Sequence, residues 1–280
     1  MKNSINPPNS NFFRLLSICA VAILLISACK PEPEPEPEDP CMEAILTGEW
    51  GYDDFGGPAC WNSVCNHGQT CGGTSQSPIN VTGWVEKTNL PSLSTNPGQT
   101  SMNIVNNGHT LQFNMQPGSF ATYGTTTNGL FDDFTLGQFH FHTNSEHQVN
   151  GSYAPMEVHF VHRSIWDDRY MVISVMIEEG DAYPLLERFV DKLPVSEMAG
   201  PYVNKDSVFS AYDLLPANRS YYTYAGSLTT PPCSETVNWI IMENKIQASQ
   251  AQLDKFKSIL GENFRPVQEL GSREIGYVKL

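Results

Sequence analysis

Hydrophobic and polar positions alternate with period two along much of the chain, in short runs separated by turn residues. The runs 102–105, 111–115, 136–142, 156–162 and 171–177 read as strands, because successive strand side chains point to opposite faces. Asn106-Asn107-Gly108 lies between the first two and predicts a tight connection. Two stretches carry helical spacing instead. Residues 183–193 place Pro184 early and Leu185, Leu186, Phe189 and Val190 at apolar positions. Residues 250–260 follow Ser249, which with Gln252 fits a capping box, and set Leu253, Phe256 and Leu260 on one stripe. Residues 50–75, rich in Gly, Asn and Cys, predict loop. The pattern predicts one mixed, mainly β domain: a large central sheet with a few peripheral helices.

The N-terminal end follows a different rule. Lys2 and Arg14 precede an apolar run over 15–26 that is too short to span a bilayer and has the size of a signal-peptide core. It ends in Ile26-Ser27-Ala28-Cys29, which resembles the lipobox of bacterial lipoproteins, where the Cys is lipidated and becomes the first mature residue. The expected organisation is a signal peptide over 1–28, a lipidated Cys29 with a tether to residue 40, and a folded domain over 41–280. Alternating Pro and Glu make the tether stiff and extended, able to hold the domain about 30 Å from a membrane. The expected location is the bacterial cell envelope, with the membrane reached by the lipid anchor only.

With 280 residues, 40% of them hydrophobic, the chain is long enough to bury a core. Lys and Arg total 16 against 30 Asp and Glu, which excludes a basic nucleic-acid footprint. Of the seven cysteines, Cys19 leaves with the signal and Cys29 takes the lipid, so an odd set remains. No C-x-x-C pair occurs, which argues against a zinc ribbon or a thioredoxin-like site. In an oxidising compartment disulfides are the default.

The histidines carry the strongest chemical signal. In Gln138-Phe139-His140-Phe141-His142 the period places both imidazoles on one strand face. In Glu157-Val158-His159-Phe160-Val161, His159 shares a face with Glu157 and Val161. If these strands are neighbours, three imidazoles converge, a ligand set for catalytic zinc with a fourth position open. Gln138 and Glu157, each two residues from a ligand on the same face, suit the outer partners that metal-bound His needs. His140-x-His142-x-x-x-Glu146 also fits the first cupin metal motif, but the second cupin motif is absent.

Further segments complete a resemblance. Trp50-Gly51-Tyr52, Gln76-Ser77-Pro78-Ile79-Asn80, Asn106-Asn107-Gly108-His109, Ser145-Glu146-His147, Tyr224-Ala225-Gly226-Ser227-Leu228-Thr229-Thr230-Pro231-Pro232 and Phe264-Arg265-Pro266 occur in the order and spacing of one family. With the His segments they span residues 50–273, and the chain resembles an α-class carbonic anhydrase of the exported bacterial type. The resemblance implies a twisted, mostly antiparallel sheet of about ten strands. It implies reversible hydration of carbon dioxide to bicarbonate and a proton, with zinc on His140, His142 and His159 and zinc-bound hydroxide as the attacking group. Thr229 and Glu146 become the pair that orients that hydroxide, and Thr230 the contact to bicarbonate. Val161, Val172, Leu228 and Trp239 become the apolar wall for carbon dioxide. His109 takes the proton-shuttle position, with Tyr52, Asn107 and Gln112 along its water path. Cys71 and Cys233 match a disulfide of exported members, and Ser77-Pro78 and Pro231-Pro232 match cis peptide bonds. Cys60 and Cys65 then suit a second, local bridge that leaves Cys41 unpaired. His147 and His162 read as structural and His67 as a loop residue.

The chain departs from the family at Thr143, where an aromatic residue is common, and at Thr110 and Gln112, which bear on the shuttle's orientation and not on the zinc. A catalytically silent adhesion or binding module is the alternative, though silent members typically lack a zinc His and this chain has all three. A zinc esterase is a third class, but no Ser-His-Asp set or acyl pocket supports it. The expected assembly is a monomer or homodimer.

Overall fold

A computed structural model describes residue 39 and residues 41–280, apart from 54–55, 65–70, 89–91, 97 and 125–131. The expected signal peptide, Cys29, almost all of the tether, Cys65 and His67 lie outside the described residues.

The predicted strands form. They are Thr100–Asn106, Leu111–Asn114, Asp132–His142, Met156–Ser164 and Tyr170–Glu179. Among the described residues all join one 13-stranded sheet, in which ten strands make a continuous path and three pair off it. Most neighbours are antiparallel; Tyr170–Glu179 pairs in parallel with Val237–Met242 and Ile246–Ala248. At the centre, Asp132–His142 lies between Leu111–Asn114 and Met156–Ser164, all antiparallel.

A bulge decides where the imidazoles point. Register shifts between Leu136 and Gln138, leaving Gly137 as the extra residue. Before it, Phe134 and Leu136 face the main core; after it, Phe139 and Phe141 do. One inserted residue reverses the parity of a strand. His140 and His142 are thereby turned to the opposite face. On the core face, Phe139, Phe141, Val158, Phe160, Ile173 and Val175 share one buried cluster with Leu253 and Phe256 of the helix Gln250–Leu260. The Phe141 and Phe256 rings lie 4.6 Å apart. Each such buried ring contributes about 1.5–3 kcal/mol of transfer free energy.

The helix Gln250–Leu260 has its capping box, with Ser249 Oγ accepting from Gln252 N–H and the Gln252 side chain accepting from Ser249 N–H. The stretch 183–193 is not one helix. It breaks into Pro184–Glu187 and a 3-10 turn Val190–Lys192, because Phe189 between them takes φ −129°. Leu185, Leu186, Phe189 and Val190 are still buried in the main core, so burial keeps the apolar spacing while the backbone leaves the helix.

Among the described residues two disulfides tie down the N-terminal region. Cys71–Cys233 is formed, and Ser77-Pro78 and Pro231-Pro232 are cis. The expected Cys60–Cys65 bridge is corrected: Cys60 pairs with Cys41. The helix Met42–Thr47 lies beside Trp61–Val64 and carries Cys41 to a Cα separation of 5.2 Å from Cys60. Cys71–Cys233 closes 162 residues of chain and packs on Trp61. Its reduction is expected to cost about 5 kcal/mol by the chain-entropy rule, read as a fall in the urea midpoint when dithiothreitol is added; an unchanged midpoint refutes it.

His162 is fully buried, with Nδ1 at 2.9 Å from the Phe160 carbonyl and Nε2 at 2.7 Å from Tyr212 OH. Burial lowers its pKa from 6.5 to about 4, against the opposing pull of the Phe160 and Met171 carbonyls. The unfolded chain takes up this proton near pH 6.5 and the folded chain only near 4. The stabilising contribution is complete above pH 6.5 and is lost as pH falls through that window, at about 1.4 kcal/mol per unit. His162→Phe is expected to flatten urea midpoints between those pH values; an unchanged slope refutes the assignment.

Candidate metal centre

Three adjacent strand positions build the site. His140 pairs in register with His159 on the neighbouring strand, and His142 lies two residues along. One nitrogen from each of the three rings falls within 4.8 Å of the others. The opposite nitrogens are all engaged. His140 Nδ1 lies 2.8 Å from Gln138 Oε1, His142 Nδ1 lies 2.7 Å from the Asn263 carbonyl, and His159 Nε2 lies 2.8 Å from Glu157 Oε1. Those acceptors require N–H on the outer nitrogens, so each inner nitrogen presents a lone pair. His142 Nε2 is buried with no hydrogen-bond partner. A buried orphan acceptor is costly unless something fills the space before it. Three convergent imidazoles with oriented outer partners fit a zinc ion.

Electrostatics keep two of the rings, His140 and His142, neutral. Burial lowers the His140 pKa well below 6.5, helped by His142 and His159. Burial also takes His142 to about 4. Glu157 is the opposite case. Burial alone would raise its pKa, but His147 and His159 outweigh it and hold the carboxyl well below 4.5. Glu157 accepts from the N–H groups of Glu146 and His147 at 2.7 and 2.9 Å, and from His147 Nδ1 at 2.8 Å; Ser174 Oγ also donates to it. His147 turns its other nitrogen to Tyr224 OH at 2.8 Å, a structural placement.

Glu146 is fully buried at the inner side of the site. Its Oε2 lies 3.5 Å from His142 Nε2 and 3.8 Å from His159 Nδ1, and Oε1 accepts from Arg265 N–H at 2.9 Å. Burial pushes its pKa up to about 7, against His159, Thr229 and the Arg265 N–H. Thr229 sits beside this carboxylate, although Oε2 has no partner at hydrogen-bond distance. Val161, Val172 and Trp239 form a row across three strands, with Leu228 packed on the same cluster. Trp239 meets the His159 ring edge-on at 4.9 Å. An apolar wall therefore adjoins the imidazoles. Thr230 follows Thr229 on the loop closed by Cys71–Cys233.

His109 belongs to the turn after Thr100–Asn106. Its ring stacks on Trp50 at 3.7 Å and 8°. Burial lowers its pKa from 6.5, and Glu197 opposes that. The preceding Gly108 has φ +83°, and an added Cβ would collide with the Glu197 carboxylate. Of the expected water-path residues, Asn107 commits Oδ1 to the N–H groups of His109 and Thr110, at 3.0 and 2.8 Å. Gln112 pairs across the strands with His140 and donates to Asn114 Oδ1 at 2.6 Å. Tyr52 has its pKa raised by burial and by Glu146, against Arg265. Asn263 and Glu197 gave no sequence signal as site residues, since each lies far along the chain from what it touches; Trp50 stood in the motif Trp50-Gly51-Tyr52 without a role of its own.

Residues 56–279 match the family described as "Eukaryotic-type carbonic anhydrase". The chain belongs to that family. A carbonic anhydrase of Neisseria gonorrhoeae is 38% identical over 228 residues, covering 81% of this chain and 86% of that protein. One of a Nostoc strain is 38% identical over 232 residues, covering 81% and 85%. A solved hyperthermostable carbonic anhydrase from an active hydrothermal vent chimney superposes with TM-score 0.75 at 38% identity, covering 82% of this chain and all of that one. Reversible hydration of carbon dioxide is accordingly the reaction of this chain. Nothing supports the silent alternative: the carbonic anhydrase imidazoles are all in place.

Proposed function

We propose that the metal is zinc, held by the inner nitrogens of His140, His142 and His159. The observation that carries this is the convergence of three lone pairs whose opposite nitrogens are all engaged. Zinc bound there supplies a Lewis acid able to ionise water near neutral pH. The chain's own residues do the rest. Gln138, Glu157 and the Asn263 carbonyl hold the ring orientations. Thr229 with Glu146 orients the attacking hydroxyl, because a hydroxyl between a donor and a carboxylate has one fixed hydrogen-bond direction. Val161, Val172, Leu228 and Trp239 receive apolar carbon dioxide and exclude water, and Thr230 contacts bicarbonate. His109 carries the released proton outward, with Tyr52, Asn107 and Gln112 along the path. Stopped-flow hydration with zinc content measured on the same sample tests the reading. A folded, zinc-loaded protein without hydration refutes it.

His109→Ala is expected to lower kcat at least about tenfold with kcat/KM nearly unchanged, since general acid–base groups contribute roughly 10²–10⁴-fold. Equal loss in both parameters refutes the carrier role.

We further propose a lipid-anchored envelope protein, cleaved before Cys29 and tethered by the Pro/Glu segment. The signal-like run and the small residues before Cys29 support this. Metabolic labelling with a fatty-acid probe tests it; a Cys29→Ser protein that stays labelled refutes it.

A further inference from the structure

Asn263 is 2% exposed and joins three parts of the molecule. Its backbone carbonyl holds the ligand His142, and its N–H donates to the Thr143 carbonyl at 3.2 Å. Its side chain does something separate. Oδ1 accepts from Thr143 N–H at 2.9 Å, while Nδ2 donates to the carbonyls of His109 and Phe141, each at 3.0 Å. Phe141 is the residue between the ligands His140 and His142. His109 lies 154 residues away in sequence. One planar amide, with an acceptor on one side and two donor hydrogens on the other, is required for this set of bonds.

We propose that the Asn263 side chain is a positioning residue that fixes the His109 backbone to the strand bearing the metal ligands. The proposal rests on His109 being the proton carrier. Asn107 and Gly108 beside it are exposed, and the Asn107 bonds are internal to the turn. Those bonds shape the turn without locating it. The Trp50 stack restrains the His109 ring, and the Asn263 bond restrains its main chain. Both are needed to hold the ring at a constant distance from the imidazoles. Misplacement by about 1 Å can cost on the order of 10²-fold in a step that depends on geometry.

Asn263→Asp is the direct test. Ionised, it keeps an acceptor for Thr143 N–H but faces two carbonyl oxygens with no donor. It leaves the backbone carbonyl under His142 in place. The expected result is a fall in kcat of roughly tenfold with kcat/KM lowered less than about threefold, the mark of a step after carbon dioxide attack. Added imidazole, a free proton carrier, restores kcat. In the metal-free protein, the His109 ring proton resonances lose the upfield displacement imposed by Trp50. If Asn263→Asp does not fold, Asn263→Ser, which cannot reach both carbonyls, is measured in the same way. Thr110→Val is the structural control, because Thr110 Oγ1 donates to the same Phe141 carbonyl at 2.7 Å without touching the His109 one.

Parallel losses of kcat and kcat/KM, no response to imidazole and unmoved His109 resonances overturn the proposal. A split of equal size in Thr110→Val also overturns it. His109→Ala separates this from the reading beneath it. If His109→Ala leaves kcat intact, the carrier role fails and the catalytic half of the proposal fails with it. If His109→Ala lowers kcat and Asn263→Asp does not, only the positioning role fails.

Discussion

His159→Ala is expected to leave a protein that retains no zinc through dialysis and hydrates carbon dioxide at or near the uncatalysed rate. In the proposed site His159 is the imidazole from the second strand. Without it the remaining pair, His140 and His142, come from one strand two residues apart, and their ring centroids are 5.0 Å from each other. Two imidazoles on one side of an ion cannot close a tetrahedral site. The substitution also removes a partner from Glu157, whose low pKa depends on His147 and His159. Loss of an outer partner alone typically costs roughly 10–100-fold in affinity or activity, so loss of a ligand must exceed that range. Zinc per chain by mass spectrometry and stopped-flow hydration on one sample check it. A zinc-loaded, active His159→Ala protein would remove the basis for the whole site.

Glu157→Gln should produce the next largest change, and in two observables at once. Glu157 is fully buried and takes every donor around it as a carboxylate. An amide of the same shape offers one acceptor oxygen and turns an NH2 toward N–H groups that themselves donate. Breaking one partner of a buried charged cluster costs about 3–5 kcal/mol. His159 then faces a neutral amide in place of the carboxylate that fixes its tautomer, so zinc affinity should fall roughly 10–100-fold. The pH dependence has a definite direction. Because the folded pKa lies well below 4.5, this carboxylate stabilises the fold above pH 4.5, and that contribution is lost as pH falls through the folded value. The variant should therefore be less stable at neutral pH and lose less on acidification below 4.5. Urea midpoints across pH and a chelator competition measure both effects. A variant as stable as the parent at pH 7, with parental zinc affinity, would show that the carboxylate is dispensable.

Much of the site was legible because strand periodicity reports which side chains share a face. Gln138, His140 and His142 are two apart, as are Glu157 and His159, so ligand and outer partner could be paired from sequence alone. Fold class and the helix Gln250–Leu260 were legible for the same reason, with local caps and periods stating local structure. The stretch 183–193 shows the limit. Its apolar spacing marked the buried residues correctly, but packing chose two short turns over one helix. The cysteines show another limit. Five candidates over 41–280 allow many pairings, and only the path of the helix Met42–Thr47 brought Cys41 to Cys60.

The sequence by itself determined the chemistry: three imidazoles, the outer acceptors of two of them, the Thr and Glu beside them, and an acidic, mainly β domain behind a signal-like segment. The tertiary structure alone decided what meets them. Asn263 reaches His142 across 121 positions, Trp50 covers His109, and Glu197 stands over Gly108. A period encodes a face, whereas a loop contact has no period and exists only once the sheet has brought distant segments together. The bulge at Gly137 belongs to both levels: the glycine is visible in the sequence, but its effect, turning His140 and His142 away from the core face, follows from the register of the neighbouring strand.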